Sequence, residues 1–364
     1  MKRYRIISTM LVFCLFIGGF GLWTLLKTPD EFSFWERRKL EQPPKLTTET
    51  LLSGQFSSDA EEYLTDQFPL RNEFRRLKAL AQHYLFLQKD AEGYYMAENM
   101  ISKLDPVLDE TSVAYAAGKF TQLYRDYLQP QGSKVFYCIV PDKNMYLAEG
   151  NGYPAMDYEA LYAQMNEALP FMEEIRIDHL LGVENYYATD THWRQETLTG
   201  VADAITEVLG TGPSPVYKTE TAGDFLGVYA GQSALPLPAE PLHYLTNEEL
   251  EGCTVYNHET GKTTAVHDLP AFGNVDPYDL FLSGATPLLT ITNPAGDPEK
   301  ELLVFRDSFG SSLVPLLVHG YGTVTVIDTR YIAPAMLPQL VDFHGQDTLF
   351  LYSTLLLNSS KSLR

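Results

Sequence analysis

The first pattern along the chain is an unbroken apolar run. Ile6 to Leu26 contains no charged residue, and Lys2, Arg3 and Arg5 precede it. A helix rises about 1.5 Å per residue, so roughly 20 apolar residues cross a hydrocarbon core. The run is long enough, and its basic start predicts a cytoplasmic N-terminus with the remaining chain outside the membrane. A cleaved signal peptide shares that basic start. Against cleavage, the run ends in Trp23, Leu25, Leu26 and Lys27 without a small-x-small site. Leu11-Val12-Phe13-Cys14 also lacks the small residues expected before a lipidated cysteine. Residues 1–26 are therefore expected to be an uncleaved, single-pass anchor.

After the anchor the pattern changes character several times. Residues 27–50 are polar and charged, contain Pro43 and Pro44, and read as a stalk. Residues 51–364 read as one domain. Helical spacing to about Gln88 includes Phe74, Leu77, Leu80 and Tyr84, and Thr111–Tyr127, Tyr158–Glu173 and Arg194–Leu209 are further helices by the same criterion. Lys134–Val140 is rich in β-branched and aromatic residues and ends at Pro141, which predicts a buried strand. From about 210 to 297 helical periodicity fades and Pro, Gly and Thr become frequent. This stretch reads as an irregular, β-rich insertion, with a hairpin of Cys253–Asn257 and Lys262–Val266 around His258-Glu259-Thr260-Gly261. Leu302–Phe305, Phe309–His319 and Thr323–Asp328 then form a β-α-β pattern, and Thr348–Tyr352 offers one more strand. A β-α-β unit implies parallel strands, so the fold class is α/β, with helices flanking a mainly parallel sheet.

Composition narrows the partners. With 45% apolar residues a core is readily built, and the net charge of −20 excludes a phosphate backbone as partner, so no nucleic acid is expected. An acidic surface also repels polyanions, which makes a neutral acceptor electrostatically easier. Of three cysteines, Cys14 lies in the anchor and Cys138 in an apolar run. A buried free thiol is the plainer reading of Cys138, and a Cys138–Cys253 disulfide stays open.

Candidate chemistry begins at Ser308, at the carboxyl end of the Leu302–Phe305 strand, where ligands bind in open parallel sheets. As the first residue of a helix it would sit among unpaired N–H groups able to stabilise an oxyanion. The plain alternative is a helix cap. A serine nucleophile needs a base and an orienting acid. His192 stands out among eight histidines because Asp190 lies two residues before it, which in an extended segment puts both side chains on one side. Trp193 follows directly. No other His, Cys or carboxylate falls at convincing ligand spacing, so no metal is expected, and serine acyl transfer requires no organic cofactor. Asp307 adjoins Ser308, but neighbouring side chains at a strand end point apart, which suits a hydrogen-bonding role.

Several motifs together resemble a known family. They are Glu36-Arg37-Arg38-Lys39-Leu40 with Pro43, Gly54-Gln55-Phe56, Asp66-Gln67-Phe68-Pro69-Leu70-Arg71, Pro141-Asp142-Lys143, Leu303–Gly310 and Ile327-Asp328-Thr329-Arg330-Tyr331. The chain resembles the DHHW proteins and the related alginate O-acetyltransferase group, which have SGNH-hydrolase-like domains. The resemblance implies a three-layer α/β/α fold and a catalytic triad of Ser308, His192 and Asp190. Ordinary SGNH esterases have the serine first, so the motif order here is circularly permuted. Thr191 departs from the second histidine of many DHHW members and is closer to the alginate group. Trp193 and Asp307 are expected to support the site, Arg330 to orient an aspartate or the substrate, and Lys143 to sit at the rim.

The activity this implies is extracytoplasmic O-acetyl transfer through an acyl-serine onto hydroxyls of a polysaccharide. A membrane-bound O-acyltransferase would supply the acetyl groups, and the anchor would hold the domain beside it. A carbohydrate acetyl-esterase with the same triad and a non-catalytic carbohydrate-binding scaffold are the alternatives.

Overall fold

The computed structural model describes residues 2–364, with side chains from Tyr4 onward. The side chains of Lys2 and Arg3, which carry part of the orientation expectation, lie outside the described residues. The chain forms two compact units. One runs to Gly93 and takes in Val228–Leu237; the other comprises Tyr94–Gly227 and Pro238–Arg364.

The first unit begins with α1 (Lys2–Leu26), whose Tyr4–Leu26 portion has mean hydropathy 2.1 and is long and apolar enough to cross a membrane. α2 (Thr48–Leu52), α3 (Gln55–Asp66) and α4 (Arg71–Leu80) follow. α4 continues as a wider helical turn over Ala81–Leu85. The charged motifs noted in the sequence meet here. Arg38 grips Asp66 with two hydrogen bonds, of 2.8 and 2.6 Å, and Arg71 pairs with Glu36. Gln67 accepts from the Asp30 N–H and donates to the Asp30 and Glu41 carbonyls. Buried charges persist only when paired in this way. Gly231 lies so close to the Trp35 carbonyl that a Cβ would stand 1.6 Å from its oxygen, so only glycine fits.

The second unit opens with a hairpin of β1 (Tyr94–Ala97) and β2 (Met100–Lys103). Next come α5 (Glu110–Leu123), β3 (Val135–Val140), α6 (Tyr158–Ala168), β4 (Glu173–Glu174) and α7 (Thr199–Leu209). β5 (Lys218–Phe225) and β6 (Glu240–Thr246) form a second antiparallel hairpin. β7 (Thr254–Asn257), β8 (Lys262–Thr264), β9 (Leu288–Thr292), β10 (Asp297–Arg306), β11 (Tyr321–Ile327) and β12 (Asp347–Ser353) complete it. Among the described residues, eight strands join one sheet in the order β8-β7-β9-β11-β10-β12-β3-β4. From β11 to β4 every neighbour is parallel; β7, β8 and β9 extend the sheet antiparallel at one edge.

Alternate residues of the central strands enter two separate cores. Phe136, Cys138, Val304 and Leu349 join one with Val201 and Ile205 of α7. Tyr137, Ile139, Phe305 and Phe350 join the other with Phe120 of α5 and Leu161 of α6. Helices thus cover both faces, which is why β3 and the end of β10 read as continuous apolar runs rather than alternating ones.

Several element boundaries differ from the sequence reading. α6 stops at Ala168 rather than Glu173, and α7 begins at Thr199, preceded by a 3-10 turn at Gln195–Thr197. The helix expected over Phe309–His319 is a single turn, Gly310–Leu313, and then a 3-10 turn, Val314–Leu317. Pro315 has no N–H to give the Ser311 carbonyl, so α-helical bonding cannot run through it. The β-rich 210–297 stretch supplies β7–β9 to the main sheet. Cys138 and Cys253 are both buried free thiols.

Candidate active site

Ser308 follows β10, which lies between β11 and β12 and is parallel to both, so the residue stands at the carboxyl edge of the sheet. Asp307 shapes this turn. Its Oδ1 accepts the Phe309 N–H at 3.0 Å, and its Oδ2 accepts both the N–H and the hydroxyl of Ser353, at the end of β12, at 2.8 and 2.6 Å. The following helical turn is capped by Phe309 without a side-chain bond, so Ser308 does not act as its cap. Two of the N–H groups at this turn are not open to an oxyanion. The N–H groups of Phe309 and Gly310 are already bonded to the Asp307 carboxylate and carbonyl, and one turn of helix has little dipole to offer.

The Ser308 hydroxyl instead meets His192 Nε2 at 2.8 Å, and His192 Nδ1 meets Asp190 Oδ1 at 2.7 Å. Asp190 is fully buried, His192 nearly so, and Ser308 half-buried. A carboxylate only accepts, so Nδ1 carries the proton and Nε2 is left as the acceptor facing the serine. The segment is a bend rather than the extended strand read from the sequence. Asp190 Oδ1 also accepts the backbone N–H of His192 at 3.1 Å, so a single oxygen aligns both backbone and ring. The bend is closed by the Tyr186–Trp193 bridge and the bond from the Tyr187 N–H to the His192 carbonyl. The imidazole lies flat on the Tyr278 ring, 4.0 Å away and tilted by 8°, with Phe309 at 5.0 Å.

Around this core the other expected residues take distinct places. Trp193 is buried, and its Nε1 donates to the Phe309 carbonyl at 3.0 Å and to Ser312 Oγ at 2.9 Å, tying the histidine loop to the serine turn. Lys143 is not at the rim. It is only 1% exposed, and its Nζ donates to the Tyr187 carbonyl at 2.8 Å. Burial pushes its pKa down to about 7, opposed by the charges of Asp190 and Glu240. Arg330 clamps Asp328 through two bonds of 2.9 and 2.6 Å. Asp328 also lies 3.8 Å from the buried Arg306, so these charges brace the ends of β10 and β11.

Four contributors carry no signal in the sequence. Glu240 accepts from Ala188 N–H, Thr189 N–H and the Thr189 hydroxyl at 2.8–3.0 Å, holding the chain just ahead of Asp190. Gly227 lies against that turn, and a Cβ there would stand 2.4 Å from Asp190. Tyr278 and Ser312 complete the set, joined by a 2.7 Å bond. Glu240, Gly227 and Tyr278 lie far from the motifs in the chain, and Ser312, four residues after Ser308, has no local motif to announce it. Among the described residues, no three His, Cys, Asp or Glu side chains group as metal ligands would.

Asp307→Ala would strand three buried donors, each costing about 1–3 kcal/mol when left unpaired. A loss of roughly 3 kcal/mol or more in urea unfolding is expected, and a change under about 0.5 kcal/mol would show that the turn is held by something else.

No family model matches the chain. Over 229 residues it is 26% identical to a protein of Pseudomonas syringae pv. tomato named probable alginate O-acetylase AlgJ, across 58% of this chain and 52% of that one. The chain therefore spans about half the length of this curated relative. The structure of a DHHW family protein from Eubacterium siraeum matches with TM-score 0.57 and 20% identity, over 75% of this chain and 96% of the other. Bacillus cereus PatB1, solved with a sulfonyl adduct, matches with TM-score 0.58 and 17% identity, over 72% and 95%. The chain is thus similar in fold to a DHHW protein and to PatB1, and similar in sequence to an alginate O-acetylase, the two groups its motifs resemble.

Proposed function

We propose that this protein is a membrane-anchored, extracytoplasmic O-acetyltransferase that works through an acyl-serine on Ser308. The observation that carries the reading is the continuous path Asp190–His192–Ser308, with contacts of 2.7 and 2.8 Å. That is hydrogen-bonding distance at both steps, as a nucleophile, base and orienting acid require. The likeness to a probable alginate O-acetylase supports the same reaction class, and the parallel sheet with helices on both faces supports an SGNH-like three-layer domain. The permuted motif order rests on the Asp190–His192 pair preceding Ser308 in the chain.

In the first half-reaction Ser308 Oγ attacks the acetyl carbonyl while its proton moves to His192 Nε2. The tetrahedral intermediate collapses, the donor's oxygen leaves with that proton, and acetyl-Ser308 remains. A sugar hydroxyl of the polysaccharide then gives its proton to Nε2 and attacks the acyl-serine, restoring the free hydroxyl. Asp190 holds the imidazole and stabilises its charged form throughout. The residues named supply this chemistry without a metal or organic cofactor. A membrane-bound O-acyltransferase is the proposed source of acetyl groups, and α1 would keep the domain close to it.

The test is intact mass of the full chain in detergent after exposure to an activated acetyl ester, followed by an oligosaccharide acceptor. One acetyl adduct that disappears as the acceptor gains acetyl is expected. Loss of the adduct to free acetate at a rate the acceptor does not change would make the protein an esterase. A folded chain that never acquires an adduct from any ester would leave only a binding role.

A further inference from the structure

The first unit carries far more exposed apolar surface than a water-facing layer needs. On α4 and its extension Leu70, Phe74, Leu77, Tyr84 and Leu85 are all exposed, Leu77 by 62% and Leu85 by 72%. Leu70, Phe74, Leu77 and Tyr84 recur at spacings of four, three and seven residues, which puts them on one helix face, with Leu85 next to Tyr84. Phe86 and Leu87 extend the patch beyond the last turn. Contiguous patches of this kind mark a protein or membrane contact.

Two observations single out lipid. The first is depth. Phe20 lies within the apolar span of α1, six residues before its end, or about 9 Å along the helix. Its ring stacks on Phe68 at 5.1 Å and meets Phe74 edge-on at 5.8 Å. The start of α4 is therefore packed beside a residue of the spanning helix. The second is charge. Residues 71–89 contain Arg71, Arg75, Arg76, Lys78 and Lys89 against Glu73. Arg71 and Arg75 are committed to Glu36, and Lys78 to Glu92, so the basic group that matters here is Arg76. Arg76 lies over the half-exposed Trp35 ring, 5.7 Å from its centre. An arginine over a tryptophan beside a large exposed apolar face is the composition of a helix lying in a membrane interface.

We propose that α4 and the Ala81–Leu87 segment lie in the outer headgroup layer of the membrane, with the apolar face among acyl chains and Arg76 among anionic headgroups. This rests on α1 being retained as a membrane span. Together the two elements give the first unit a second membrane contact, which fixes its depth and tilt instead of leaving it to swing on one helix.

The test uses the full chain in vesicles of phosphatidylcholine, with and without phosphatidylglycerol. An environment-sensitive label is placed on native Cys14 in the span, on Leu85→Cys, and on Val216→Cys, a highly exposed site in the second unit; the last two carry Cys14→Ser. Expected is loss of iodide quenching and gain of quenching by nitroxide lipids at Cys14 and at Leu85→Cys but not at Val216→Cys. The shielding at Leu85→Cys should weaken in Arg76→Glu when phosphatidylglycerol is present. Iodide quenching at Leu85→Cys equal to that at Val216→Cys, with Cys14 still shielded, overturns the inference and leaves the anchor standing. Iodide access to Cys14, or its loss by cleavage, overturns the anchor and the inference with it. Shielding of Leu85→Cys in native membranes but not in vesicles would mean that a protein covers this face, and would overturn the lipid assignment.

Discussion

Ser308→Ala is expected to lower acetyl transfer by roughly 10⁴-fold or more and to abolish the covalent acetyl adduct. The hydroxyl makes one hydrogen bond, to His192 Nε2, and the residue is only half-buried. Its removal leaves a small gap and an imidazole acceptor that water can reach, so stability should change by no more than about 0.5 kcal/mol. That contrast makes the variant informative. A large loss of turnover at unchanged thermal stability assigns Ser308 to the chemistry. Transfer within tenfold of the parent would mean that acetyl passes directly from donor to acceptor, or that another group carries it.

Asp190→Asn should come next in size, with kcat reduced by about 10³- to 10⁴-fold. As Ser308 loses its proton, His192 becomes positive while largely buried, and the Asp190 carboxylate is the charge beside it at 2.7 Å. The amide keeps the shape and removes the charge, so the loss falls on the transition state rather than on substrate binding. KM for the acceptor should therefore stay nearly constant while kcat falls. Comparable losses in both would point to a collapsed loop, since Asp190 also holds the His192 backbone N–H. Circular dichroism and the melting temperature of the same variant separate the two cases.

Much of the central sheet was legible because its strands are buried on both faces. β3 and the end of β10 read as unbroken apolar runs, and the hairpin of β7 and β8 announced itself through the Asn257–Gly261 turn. The β5–β6 hairpin was not legible. β5 is Lys218-Thr-Glu-Thr-Ala-Gly-Asp-Phe225, mostly exposed, so no apolar alternation marks it. Helix ends were misplaced where proline or a competing 3-10 turn decided the boundary, as at Pro315 and Gln195–Thr197.

At the site, the sequence by itself determined the residue types and their local spacing. Asp190 two positions before His192 and a serine after an apolar strand are short-range facts, set by composition and periodicity. Only the tertiary structure decided that these two segments meet, that one Asp190 oxygen orients both ring and backbone, and that Tyr278 lies flat on the imidazole. It also moved Lys143 from the expected rim into the interior and showed that Asp307 holds the Phe309 N–H. The physical reason is the range of the forces involved. Hydrophobic periodicity and turn preferences act over a few residues and leave a trace in the local sequence. Burial, ring stacking and the pairing of buried polar groups join positions far apart in the chain, and exist only once the sheet has brought them together.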